Sequence, residues 1–175
     1  MLYIGEEVGR RAPTDPQMDL ALDPLEGTNL CAYGRPGALA VIAMAPEGCF
    51  LHAPDIYMNK IAVGKDARDA VDINATVETN LKNVAEAMGR RVDELTVVVL
   101  DRPRHDQLLA DIRAVGARVK LITDGDVVAG IQAALPDSSV DVLMGIGGTP
   151  EGVLTAAAIR CVGGVIQGKA WPRND

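Results

Sequence analysis

The strongest constraint on the fold of this chain lies in its second half, where one strand–helix grammar is written three times. The segment 96–100 (TVVVL) reads as a buried strand, followed by the tip DRPRHD and a helical face of Leu108, Leu109, Ile112 and Val115 that stops at Gly116. Residues 118–123 form a second expected strand, followed by Asp124-Gly125-Asp126 and a helical face of Val127, Val128, Ile131 and Leu135 ahead of Pro136. Residues 140–144 are the third, running into GIGGTPEG, where Thr149 can cap a helix, Pro150 suits its first turn and 152–161 continue it. Alternation of this kind implies parallel strands joined by right-handed crossovers. All three tips should then share one sheet edge, the edge at which such folds bind ligands. The expected class is α/β, in layers.

The first half is less regular. MDLALD from Met18 reads as a short strand, with Pro24 opening a turn or a helix start. Residues 38–45 (ALAVIAMA) and 49–53 flank Pro46-Glu47-Gly48, which predicts an antiparallel hairpin. An apolar patch around Ile61 ends at Gly64, and 71–75 lead into a helix from Thr76 with Val77, Leu81, Val84, Ala85 and Met88 on one face before Gly89. No internal repeat or linker divides the chain. Its 175 residues suit one domain, with 1–95 as one half and 96–175 as the other. The apolar opening MLYIGEEVG is almost a strand, and the close at WPRND follows a glycine-rich apolar segment. Domain ends are usually polar, so the sequence is expected to be part of a larger fold.

Composition narrows the function. A net charge of −7 and a pI near 4.8, without a Lys/Arg cluster, argue against a nucleic-acid surface. No stretch approaches the roughly 20 apolar residues of a membrane span, and no signal peptide opens the chain. The expected partner is a small molecule. Aromatic residues make up only 3%, so aliphatic side chains must build the core. Cys31, Cys49 and Cys161 lie far apart among apolar neighbours, which predicts buried thiols in a reducing cytoplasm.

The richest chemistry lies in DLALDPLEGTN (19–29), where Asp23 and Glu26 are three residues apart. A helix or tight turn at this spacing puts both carboxylates on one side, with the Gly27 and Thr28 amides beside them. Such oxygen-rich sets suit Mg²⁺ or Mn²⁺, although a D-P-x-E stretch serves equally well to cap a helix. Glu151 stands in the first turn after Gly147-Gly148-Thr149-Pro150, either as a third ligand or as a capping charge. Arg102 and Arg104 flank Pro103 as a phosphate clamp, or as a solvated pair bonding to Asp101 or Asp106. His105 reads as a capping or surface residue, and His52 as a strand residue without a partner. Of Asp124 and Asp126, one is expected to cap a helix and the other to accept hydrogen bonds from sugar hydroxyls.

Taken together, DPLEGTN, PDIYMNKIAVG, DRPRH, LITDGD and GIGGTPEGV followed by AAAIRC resemble class II fructose-1,6-bisphosphatase, the bacterial type related to the inositol monophosphatases. The resemblance runs from Met1 nearly to the last residue. It implies a partial αβαβα sugar-phosphatase fold. It also implies hydrolysis of the 1-phosphate of fructose 1,6-bisphosphate, a gluconeogenic step, with Mn²⁺ or Mg²⁺ as cofactor, in a cytoplasmic homo-oligomer. It assigns Asp23, Glu26 and Glu151 to the metal and Thr28 to orienting the attacking water, with Asp23 and Glu26 as its catalytic partners. Tyr57, Arg102, Pro103, Arg104, Asp124, Gly125, Asp126 and Gly148 fall where the family contacts the sugar bisphosphate, and Glu26, Gly27 and Thr28 at the reacting phosphate. Glu26 stands for the aspartate of the wider superfamily, and Arg102 for a lysine of some members, which trades a point charge for a planar fork. The family's G-E-G-x-x-D-E-A-P segment, which supplies further carboxylates, has no counterpart in these residues, and neither have its later elements. The 175 residues alone are therefore expected to be inactive or nearly so. Sedoheptulose 1,7-bisphosphate, an inositol phosphate, or non-catalytic binding of a sugar phosphate are the alternatives.

Overall fold

The computed structural model describes residues 4–10 and 12–171. Two strands, β1 (Met18–Glu26) and β2 (Leu39–Pro46), pair antiparallel with the short helix α1 (Thr28–Ala32) between them. The chain then builds β3 (Tyr57–Val63), α2 (Val77–Ala87), β4 (Thr96–Leu100), α3 (Asp106–Val115), β5 (Arg118–Ile122), α4 (Asp126–Ala134), β6 (Val142–Gly148), α5 (Thr149–Val162) and β7 (Val165–Trp171). The second sheet has five strands in the order β5-β4-β6-β3-β7. As expected from the strand–helix grammar, β4 is parallel to both β5 and β6, whereas β3 runs antiparallel to β6 and β7. The protein is thus a layered α/β fold around a mixed sheet.

The period-2 alternation of the central strands divides the core into two layers. Ile61, Val63, Val97, Val99, Val142 and Met144 point to one face, where Leu81 and Val84 of α2 and Leu109 and Ile112 of α3 meet them. The residues between, Ala62, Val98 and Leu143, point to the other face and pack on Ala129 and Ala133 of α4 and Ile159 of α5. Small residues let α4 and α5 approach closely, since a Cβ at Gly130 would lie 2.4 Å from Thr155 Cγ2. On its far side α5 carries the β1–β2 pair. The order is therefore helices, sheet, helices, sheet, which is four of the five layers expected; no fifth lies among the described residues.

Several expectations need correction. The Pro46 turn forms, with Cys49 N–H donating to Pro46 O at 3.1 Å, but 49–53 do not pair with β2. Instead β2 takes its ladder from β1, with Leu20 opposite Met44. The amides of Ala53 and Ile56 turn back on Leu51 and Pro54 as the chain leaves for the other sheet, so His52 lies exposed in a loop rather than in a strand. The expected break after Met144 is absent, because antiparallel pairing with β3 carries β6 on through its glycines to Gly148. Thr149 does not cap α5; its hydroxyl donates to Ile56 O at 2.8 Å. The near-strand expected at the chain start is not formed over 4–10, and residues 1–3 lie outside the described residues. Finally, Cys31, Cys49 and Cys161 are all exposed. Apolar sequence neighbours misled here because α1, which carries Cys31, buries none of its residues, while Cys49 stands in a turn and Cys161 on an exposed side of α5.

Candidate functional site

The site begins with an irregularity in β1. Side chains three apart on a regular strand point to opposite faces, so Asp23 and Glu26 should diverge. Asp23 faces Val41 and Glu26 faces Leu39 across the ladder, leaving one more residue on β1 than on β2 between these pairs. Pro24, which has no N–H to offer the ladder, sits in this bulge, and the extra residue restores both carboxylates to one side. The expected turn is therefore a bulged strand. Directly after it, Gly27 takes a left-handed conformation, φ 78°, and turns the chain into α1.

Glu26 is buried and its Oε1 accepts from Val127 N at 3.0 Å, in the first turn of α4. Asp23 and Glu26 meet Glu151 of α5, with one oxygen from each within 4.8 Å of the others. Glu151 is seated by the absence of a neighbour's side chain, since a Cβ on Gly148 would fall 1.9 Å from its Oε2. That oxygen is buried without a hydrogen-bond partner. Burial, and then the charges of Asp126, Glu151 and Asp23, push Glu26 from its ordinary 4.5 up to about 7, against the hydrogen bond from Val127. Burial also raises Glu151. Three mutually repelling carboxylates with an orphaned buried oxygen, and no cysteine or histidine among them, fit a hard divalent cation.

The other wall of the cleft is basic. Arg104, in the 3₁₀ turn Pro103–His105, stacks its guanidinium 4.8 Å over the Tyr57 ring and donates to Ile146 O at 2.8 and 3.2 Å. Arg102 donates to Asp101 O and Thr123 O, each at 2.8 Å, and lies 3.5 Å from Asp124 Oδ1. Both guanidiniums are thus held at the cleft by backbone carbonyls, Arg102 also beside Asp124, and these bonds go to neither the Asp101 nor the Asp106 carboxylate. Glu26, Tyr57, Arg102, Arg104, Asp124, Gly125, Asp126, Gly148 and Glu151 all line this cleft, together with Leu100 and Gly147. Gly27, Thr28 and Pro103 stand beside it, and Asp23 reaches it through the carboxylate cluster.

A scan of the whole chain against protein families supplies the deciding observation: residues 1–175 match the family described as "Bacterial fructose-1,6-bisphosphatase, glpX-encoded". The chain belongs to that family. Its sequence is 50% identical over 175 residues to the "Fructose-1,6-bisphosphatase 1 class 2" of Escherichia coli, covering 100% of this chain and 52% of that protein. Over 179 residues it is 50% identical to a Synechococcus elongatus protein named "D-fructose 1,6-bisphosphatase class 2/sedoheptulose 1,7-bisphosphatase", and 51% to the one so named from Trichodesmium erythraeum, covering 97% of this chain and 52% of each. The chain spans about half the length of the curated relatives it matches.

Within this member of the bacterial fructose-1,6-bisphosphatase family, two tip residues depart from expectation. His105 is neither a cap nor a surface group. It is buried, with Nδ1 2.7 Å from Leu100 O and Nε2 accepting from Ile146 N at 2.7 Å, so it bridges β4 and β6 beneath Arg104. Burial holds its pKa down. Neither aspartate caps α4, because Gly125 occupies the cap position. Asp124 instead accepts from Asn29 N at 2.9 Å, tying α1 to the large sheet. Asp126 is buried and paired with Lys60 Nζ at 2.7 Å. Sequence reasoning missed Lys60; the signal available was a lysine at an inward position of the apolar strand YMNKIAV. No helix among the described residues is long and apolar enough to cross a membrane.

Proposed function

We propose that the protein is a metal-dependent phosphatase that hydrolyses the 1-phosphate of fructose 1,6-bisphosphate, yielding fructose 6-phosphate and phosphate as in gluconeogenesis. One observation carries the reading: Asp23, Glu26 and Glu151 converge within 4.8 Å at a cleft whose opposite wall presents Arg102 and Arg104. In this reading the three carboxylates hold Mn²⁺ or Mg²⁺. When bound, such a cation polarises phosphoryl oxygens and acidifies the attacking water. Thr28 orients that water together with Asp23 and Glu26, and Glu26, Gly27 and Thr28 border the reacting phosphate. Tyr57, Arg102, Pro103, Arg104, Asp124, Gly125, Asp126 and Gly148 contact the sugar and its other phosphate. Arg104 is held between the Tyr57 ring and Ile146 O before any ligand arrives, so little of its rotamer entropy remains to be lost. Remote binding of this kind orients the reacting end and can raise turnover as well as affinity.

In this reading the 175 residues belong to one sugar-phosphatase domain, of which they are a part. Three exposed thiols, which stay reduced in a cytoplasm, support that compartment. The exposed apolar residues Leu20, Leu22, Ile42 and Met44 support association into a homo-oligomer. A second substrate, sedoheptulose 1,7-bisphosphate, is favoured by the double name of the Synechococcus elongatus and Trichodesmium erythraeum relatives. Phosphate release by a protein carrying this chain at the full length of its relatives, measured in Mn²⁺ over a panel of fructose 1,6-bisphosphate, sedoheptulose 1,7-bisphosphate and inositol 1-phosphate, tests both. Release from inositol phosphate alone would overturn the assignment.

A further inference from the structure

Among the described residues, Lys60 is the one buried lysine or arginine, at 2% exposure, and no role in the reading above uses it. Its Nζ lies 2.7 Å from Asp126 Oδ2 and donates to Gly148 O at 3.1 Å. Strand β6 gives up a side chain to accommodate this pair, for a Cβ on Gly147 would stand 2.0 Å from Asp126 Oδ2 and 2.8 Å from Lys60 Nζ. We infer that Lys60 is a positioning residue, a built-in cation that claims Asp126 and so confines divalent-cation binding to Asp23, Glu26 and Glu151. The inference rests on reading that cluster as a cation site.

The electrostatics point the same way. Asp126 lines the same cleft as Glu26 and Glu151, and its charge raises the pKa of both. Lys60 acts on Glu151 in the opposite sense. Without Lys60, the Asp126 carboxylate would stand beside the Asp23, Glu26 and Glu151 cluster with no buried countercharge. A hard cation gains from each added carboxylate oxygen, and Asp126, which stands outside the 4.8 Å cluster while Lys60 holds it, would be free to turn toward the ion. Through Gly148 O, the same ammonium also anchors the start of α5, on which Glu151 rides.

The test is calorimetric titration of Mn²⁺ into the chain, with folding of each variant checked by circular dichroism. Lys60→Met should bind Mn²⁺ on the order of tenfold more tightly than the wild type, because it releases Asp126 and removes a positive charge. Asp126→Asn should bind on the order of tenfold more weakly, since the unpaired ammonium then acts on the cluster. The double variant, with neither charge, should lie near the wild type. Should Lys60→Met fail to fold, Asp126→Asn decides, because a purely structural pair predicts no such loss in the folded variant. Affinities within about twofold of the wild type in every folded single variant would overturn the inference. A wild type that binds no Mn²⁺ would sink the cation-site reading itself. In that case, binding gained by Lys60→Met would uphold the role of Lys60, and no gain would overturn that as well.

Discussion

The two sheets use the same alternation of apolar residues to different ends. In the five-stranded sheet both sets of inward positions are covered, one by α2 and α3 and the other by α4 and α5. In the β1–β2 pair only the face toward α5 is covered, and Leu20, Leu22, Ile42 and Met44 stand 37–67% exposed on the other. Stability and chemistry are therefore distributed unequally. The large sheet supplies the buried core and the basic wall of the cleft, while the pair supplies Asp23 and Glu26. Hydrogen bonds from Val127 N to Glu26 and from Asn29 N to Asp124 tie one to the other. The carboxylate cluster exists only where the two meet.

The contrast can be pressed hardest in the core. Leu81→Ala, at a fully buried position of α2, should cost about 2–5 kcal/mol of stability by urea denaturation. A cost under about 1 kcal/mol would mean that the sheet–helix interface is not the stabilising layer. Next in size are effects at the junction. In a protein carrying this chain at the full length of its relatives, Glu151→Gln should lower kcat about 100-fold, and Arg104→Ala should mainly raise KM, by about tenfold. An Arg104→Ala variant with unaltered KM would remove Arg104 from the phosphate clamp.

A smaller effect separates function from stability. Folding raises the pKa of Glu26 from 4.5 to about 7, so the folded state favours its protonated form. That contribution is present at low pH and is lost as pH climbs through this interval. In excess chelator, Glu26→Gln should therefore be more stable than the wild type at about pH 8 and equal to it near pH 4. The lowered pKa of His105 works in the opposite direction, its contribution being lost as pH falls, but it is common to both proteins and cancels in the difference. A difference curve that stays flat from acid to alkaline pH would show that Glu26 is not held in a desolvated site. Smallest of all, Ile42→Ala, 67% exposed on the open face, should change the unfolding free energy of the monomer by no more than about 0.5 kcal/mol.

What could be read in advance follows the same division. The strands β4 and β6 were legible because burial on both faces writes long apolar runs, the edge strand β5 because it repeats the same strand–helix grammar, and the helices because Gly116 and Pro136 mark where two of them stop. The β1–β2 pairing was misassigned because an alternating strand does not name its partner, and a Pro-Glu-Gly turn looked like the connection. Asp23, Glu26 and Glu151 were legible as candidate ligands, but the bulge that aligns the first two depends on register, which local spacing does not carry. Lys60 and His105 were missed or misread for one reason: each is a polar residue whose partners, Asp126 for one and Leu100 O and Ile146 N for the other, belong to different elements. Only tertiary packing brings such partners within reach.

In the proposed function the pair and the large sheet meet to form a cation-dependent phosphatase site. Phosphate release from fructose 1,6-bisphosphate, followed with the relatives'-length protein in Mn²⁺, then in excess chelator, then with Mn²⁺ restored, tests it most directly. Release should stop on chelation and return with the metal. Undiminished release in excess chelator would contradict it.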